Sequence, residues 1–153
     1  MNDFRNGQCS DEVVLLGILN LMELIHHNHP ETYVVINSLL PQGSTVRVHR
    51  GAEIKLWPSI VETNNKLKAF CENHHWFHFY DATPHFVMKD STDQVLHMNK
   101  DSYQGKSDTP SLKGHQKWIA GTTMLVAELI DDEQSDDAVR NEMDDDQVKK
   151  NYN

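Results

Sequence analysis

Two cysteines in 153 residues are too few for a disulfide framework. Cys9 and Cys71 lie far apart in sequence and read as a pair of buried thiols, with a disulfide between them left open. Long apolar runs are missing as well. No stretch approaches the ~20 residues a membrane-spanning helix needs, and no signal-peptide pattern opens the sequence, so no membrane span is expected and no compartment is indicated. A basic patch of the kind that grips a phosphate backbone is also lacking, with 14 Lys and Arg against 23 Asp and Glu. Nucleic acid is therefore a poor partner. No internal repeat is visible. Apolar residues make up only 38%, low for a compact fold, but the shortfall is local. Residues 131–153 hold nine acids and three bases and carry −6 of the −9 net charge. That stretch is predicted to be a disordered acidic tail, leaving residues 1–130 as one α/β domain.

What is there begins with Pro30–Pro41. Thr32 to Ile36 are all β-branched or aromatic, and the run is almost continuously apolar. This predicts a strand covered on both faces, as in a parallel sheet with helices on either side. The two prolines bracket it, since neither fits inside a central strand. Asn37 and Ser38 stand near its carboxyl end, where open parallel sheets place ligands.

The flanking segments read as helices. Ser10 is a cap-like residue followed by two acids. Val14, Ile18, Leu21, Met22 and Ile25 then form one helical face that Leu15, Leu19 and Leu24 widen. This helix is predicted from about Asp11 to Asn28, ahead of Pro30. A second begins at Trp57-Pro58-Ser59 and ends near Asn73, with Ile60, Asn64, Leu67 and Cys71 on one face and Val61 and Phe70 beside it. Trp76–Tyr80 predicts a second strand, and Ala82–Gly105 a long polar loop. The last helix starts at Pro110 or Ser111, turns Trp118, Thr122, Leu125 and Leu129 inward, and stops near Ile130. The alternation implies an α/β fold with right-handed crossovers and only two convincing strands.

Taken in order, these residues resemble a family. Asn2-Asp3, an apolar helix, Val34–Pro41, Asn64 three before Leu67, Asp81 and Pro110-Ser111-Leu112-Lys113-Gly114 resemble the C-terminal half of SGNH (GDSL-type) hydrolases. The likeness is nearest to platelet-activating-factor acetylhydrolase-like members and spans about residues 2–130. It implies a partial flavodoxin-like three-layer α/β/α sheet whose N-terminal strands are missing. It also implies ester hydrolysis, the substrate being an acylated or acetylated small molecule or glycan, with no cofactor and no metal. Asn2 matches the family's oxyanion-donating Asn. The block that carries the serine nucleophile has no counterpart in these 153 residues. Aligning Pro110 and Gly114 puts Thr109 where the general-base His belongs and Lys106 where its Asp partner belongs. A one-residue slip offers Asp108 as the acid, with no His at the right distance, His115 lying beyond Gly114. Threonine has no titratable nitrogen, and a lysine cation cannot accept an imidazole N–H, so little activity is expected from this chain alone.

Two other readings come from the residues themselves. One is an interaction module that self-associates through an exposed strand edge. The other is a metal binder built from His26, His27 and His29 or from His74, His75 and His78, although His at a helix end has sufficient reason in the helix dipole. Ser44, Ser59 and Ser111 lack a nucleophile elbow, and the latter two stand where helices start. Trp57, Trp76 and Trp118 are assigned to the core.

Overall fold

The computed structural model of the chain describes residues 10–40, 56–89, 95–104 and 109–151. Helix α1 (Asp11–Asn28) opens where its cap predicts: the Ser10 hydroxyl accepts the Val13 N–H at 3.4 Å, and Asp11 and Glu12 occupy the first turn. Strand β1 (Val34–Asn37) uses only the centre of the proline-bracketed run. Helix α2 (Leu56–Glu72) and strand β2 (Phe77–Tyr80) follow. The strands pair in parallel, Val34 opposite Phe77 and Asn37 opposite Tyr80.

Strand alternation sorts the side chains into layers. Val34, Ile36, Phe77 and Phe79 meet α1 and α2, closing over Met22 and Cys71 together with Ile18, Leu19 and Phe70. Ile60, Leu67 and Thr63 of α2 are fully buried. Tyr80 and Trp118 close a second cluster around Ala82, Phe86 and Tyr103, beneath the last helix, α4 (Leu112–Asn151). The order is thus helices, a small parallel sheet, and a further helix. The β1 residues are half-buried rather than fully covered, because the sheet is two strands wide among the described residues.

Three expectations need correction. The segment after Ala82 is not one long loop. It forms α3 (Thr83–Phe86), then an antiparallel hairpin of β3 (Val87–Lys89) and β4 (Val95–Met98), then a 3-10 turn at Lys100–Ser102. Pieces of three or four residues are too short to show a period, and Phe86, fully buried, anchors them from outside the segment's own pattern. Helix α4 continues past Ile130 to Asn151. Residues 131–151 contain neither Pro nor Gly, so nothing in the backbone chemistry halts the helix. In α1, finally, Leu21 and Leu24 are each 57% exposed. The buried side is Ile18, Met22 and their neighbours, and apolar residues continue round onto the open side.

Candidate functional site

The carboxyl ends of β1 and β2 gather the polar side chains that tie the layers together. Asn37 Oδ1 accepts the Trp118 indole N–H at 2.7 Å and lies 3.1 Å from Thr122 Oγ1, which is also 3.0 Å from the Trp118 carbonyl. One amide oxygen therefore fixes α4 to the end of β1. Ser38 is buried, and its Oγ accepts the Ala82 N–H at 3.0 Å and the Thr83 hydroxyl at 3.3 Å. Asn64 clamps the next residue: its Oδ1 accepts the Leu39 N–H at 2.7 Å and its Nδ2 donates to the Leu39 carbonyl at 3.0 Å. The sequence marked Asn37, Ser38 and Asn64, and the structure places them together as stitches at this end of the sheet.

Beside them stands a titratable pair the sequence did not suggest. Tyr80 Oη and His85 Nε2 are 2.9 Å apart. Burial, with the Asp81 charge second, pushes the Tyr80 phenol above its ordinary value. Gly121 of α4 lies against the same ring, and a Cβ there would overlap the phenol oxygen. The signal available in sequence was weak: a Pro-containing turn, Thr83-Pro84-His85, separated by two residues from a strand ending in Tyr80.

Ser102, buried and also unforeseen, is the hub under the last helix. Its hydroxyl donates to the His85 carbonyl at 2.6 Å, and its own carbonyl accepts the Ser111 N–H at 2.8 Å. Ser111 caps α4, its Oγ accepting the Gly114 N–H at 3.1 Å while donating to the Asp101 carbonyl at 2.6 Å. Gly114 is required by close approach, because a Cβ would run into the Ser102 carbonyl. Thr109 and Pro110 are clasped here. Pro110 bridges Tyr103, and the Thr109 carbonyl accepts the Gln104 N–H at 3.0 Å.

Asn2, Lys106, Asp108, Ser44 and Cys9 lie outside the described residues. His115 is exposed and reaches back to the Ser111 carbonyl at 3.1 Å. The histidine clusters pack on aromatic rings: His26 stacks on Trp76, His74 on Phe70, and Tyr33 Oη lies 3.3 Å from His75 Nε2. His26 Nδ1 and His78 Nε2 are buried without a hydrogen-bond partner. Among the described residues no group of three or more His, Cys, Asp or Glu is arranged to hold a metal ion. No described helix is long and apolar enough to cross a membrane.

The layered sheet, with its strands parallel and its polar stitches at their carboxyl end, defines an α/β domain. Neither a sequence family nor a curated protein sequence matches the chain. Solved structures do. A candidate acylhydrolase from Bacteroides fragilis matches with a TM-score of 0.58 and 17% identity, over 78% of this chain and 52% of that one. A candidate platelet activating factor from Streptococcus pneumonia matches with a TM-score of 0.57 and 12% identity, over 78% of this chain and 53% of that one. The chain thus spans about half the length of these structures, and over that span it shares their α/β fold.

Proposed function

We propose that this chain is an SGNH-type acyl-hydrolase domain that does not catalyse ester hydrolysis by itself. Longer counterparts of such a domain would cleave acyl or acetyl esters of small molecules or glycans. The observation that supports this reading is Thr109. It directly precedes Pro110 and the capped start of α4, the place where the resemblance calls for the imidazole base, and a hydroxyl cannot take a proton from a serine nucleophile near neutral pH. Lys106, at the position of the orienting carboxylate, has the wrong charge to hold an imidazolium. Three of the described serines also have other work: Ser38, Ser102 and Ser111 are held in the contacts that join the layers. Loss of nucleophile and base together costs on the order of a million-fold in turnover. Asn2 remains the one residue assigned a catalytic role, as oxyanion donor.

The test is release of p-nitrophenol from the acetate and butyrate esters by the purified chain. The expected rate is that of buffer, for the natural sequence and for Thr109→His alike. Turnover above buffer that vanishes in Asn2→Ala would overturn the reading. A second reading, strand-edge pairing, draws on the two-stranded sheet: among the described residues β1 and β2 each pair on one side only.

A further inference from the structure

Helix α1 is apolar on two sides. Its inner side closes the core, as described above. Its outer side carries Val13, Leu16, Gly17, Asn20, Leu21 and Leu24, at i, i+3, i+4, i+7, i+8 and i+11, which is one continuous helical stripe. The four large side chains in it are 54–57% exposed. Gly17 lies at its middle, and nothing stands within 4 Å of where a Cβ would be. A glycine there weakens the helix and packs against nothing in the monomer.

The stripe has a symmetry that selects its occupant. Running it backwards exchanges Val13 with Leu24, Leu16 with Leu21, and Gly17 with Asn20. Two copies laid antiparallel would therefore set apolar residues against apolar residues at both ends, and at the centre each Asn20 would fill the space over the other copy's Gly17. The ends match too. Asp11 and Glu12 lie in the first turn and His26 and His27 in the last, so antiparallel packing sets the acidic turn of one copy beside the histidine-bearing turn of the other. It also opposes the two helix dipoles. A self-complementary patch of this kind is what a two-fold dimer requires.

We infer that the chain forms a homodimer by antiparallel packing of α1 against α1 across the Gly17–Asn20 centre. An 18-residue helix is about 27 Å long, so this contact alone falls at the small end of specific interfaces. The dimer is accordingly weak and dissociates on dilution.

Sedimentation velocity on the whole chain tests this, from about 1 to about 300 µM. The expected result is a monomer–dimer equilibrium with its midpoint in the tens of micromolar. Leu21→Glu should shift that midpoint at least tenfold upward. Gly17→Gln serves as the second variant, because the open space around Gly17 leaves the monomer fold intact: it should weaken the dimer while circular dichroism and the thermal midpoint at 1 µM are kept or raised. A natural chain that stays monomeric throughout overturns the proposal. So does a dimer that both variants leave unchanged, which would place the contact elsewhere, at the strand edge or on α4.

Discussion

At the scale of the residue, three glycines in helices have two different meanings. Gly114 and Gly121 are sites of close approach, to the Ser102 carbonyl and the Tyr80 phenol, whereas Gly17 faces open space. Gly114→Ala should cost about 2 kcal/mol, because the obstructing atom is backbone and cannot swing aside. Gly17→Ala, at a protein concentration low enough to keep the chain monomeric, should gain up to about 1 kcal/mol from helix propensity. Urea midpoints at fixed slope measure both. Asn64→Ala removes both partners of the Leu39 peptide, and leaving that donor and acceptor unpaired in a half-buried site should cost about 2–3 kcal/mol. Two titratable residues give further tests. Burial pushes the Cys71 thiol up to about 11, so in a Cys9→Ser background it should resist Ellman's reagent until the chain is unfolded. Burial, with the neighbouring His75 second, lowers His78 below the ordinary histidine value near 6.5. Its neutral form is favoured in the folded chain, so the unfolded chain binds the extra proton between the two values. The contribution is complete above the ordinary value and is lost as pH falls below it toward the folded one. Denaturant midpoints at pH 7.5 and 5.5 should differ more for the natural sequence than for His78→Phe.

At the scale of the element, legibility followed length. Helices α1 and α2 and the two parallel strands were visible in the sequence, because each carries enough residues to express its period or its β-branched character. Ile60, Leu67 and Cys71 lie buried where the α2 pattern puts them. The stretch from Thr83 to Ser102 was not visible, since its order comes from Phe86 and Ser102, single residues held by contacts distant in sequence. Helix α4 combines both cases. The half-buried residues of its inner side, Trp118, Thr122, Leu125 and Leu129, all precede Ile130. Amide hydrogen exchange should therefore divide this helix, with slow exchange from about 115 to 129 and fast exchange at 131–134, whose side chains are exposed, because helical hydrogen bonds without packing open readily. Equal protection along its whole length would show that the acidic half has a partner surface of its own.

At the scale of the whole molecule, the ordered layers and the candidate site stand in different relation to the sequence. The sheet end is assembled from Asn37, Ser38, Asn64, Tyr80, His85, Ser102 and Thr109, which come from six separate elements or turns. The residue identities at the proposed base position, Thr109 with Lys106, were readable directly and are what argue against catalysis. Restoring both, as Thr109→His with Lys106→Asp, should still leave p-nitrophenyl acetate hydrolysis at the buffer rate, since no Gly-Asp-Ser occurs in these 153 residues.

The amino-acid order by itself determined the helix-strand alternation, the parallel pairing of the two apolar strands and the unsuitability of Thr109 as a base, because these depend on local periodicity and on the chemistry of single side chains. Only the tertiary structure decided which side of α1 is covered, that Ser102 joins the α3 turn to the start of α4, and that Tyr80 meets His85. Those outcomes depend on which surfaces lie opposite one another in space, and neither a helical period nor a residue's own chemistry carries that information.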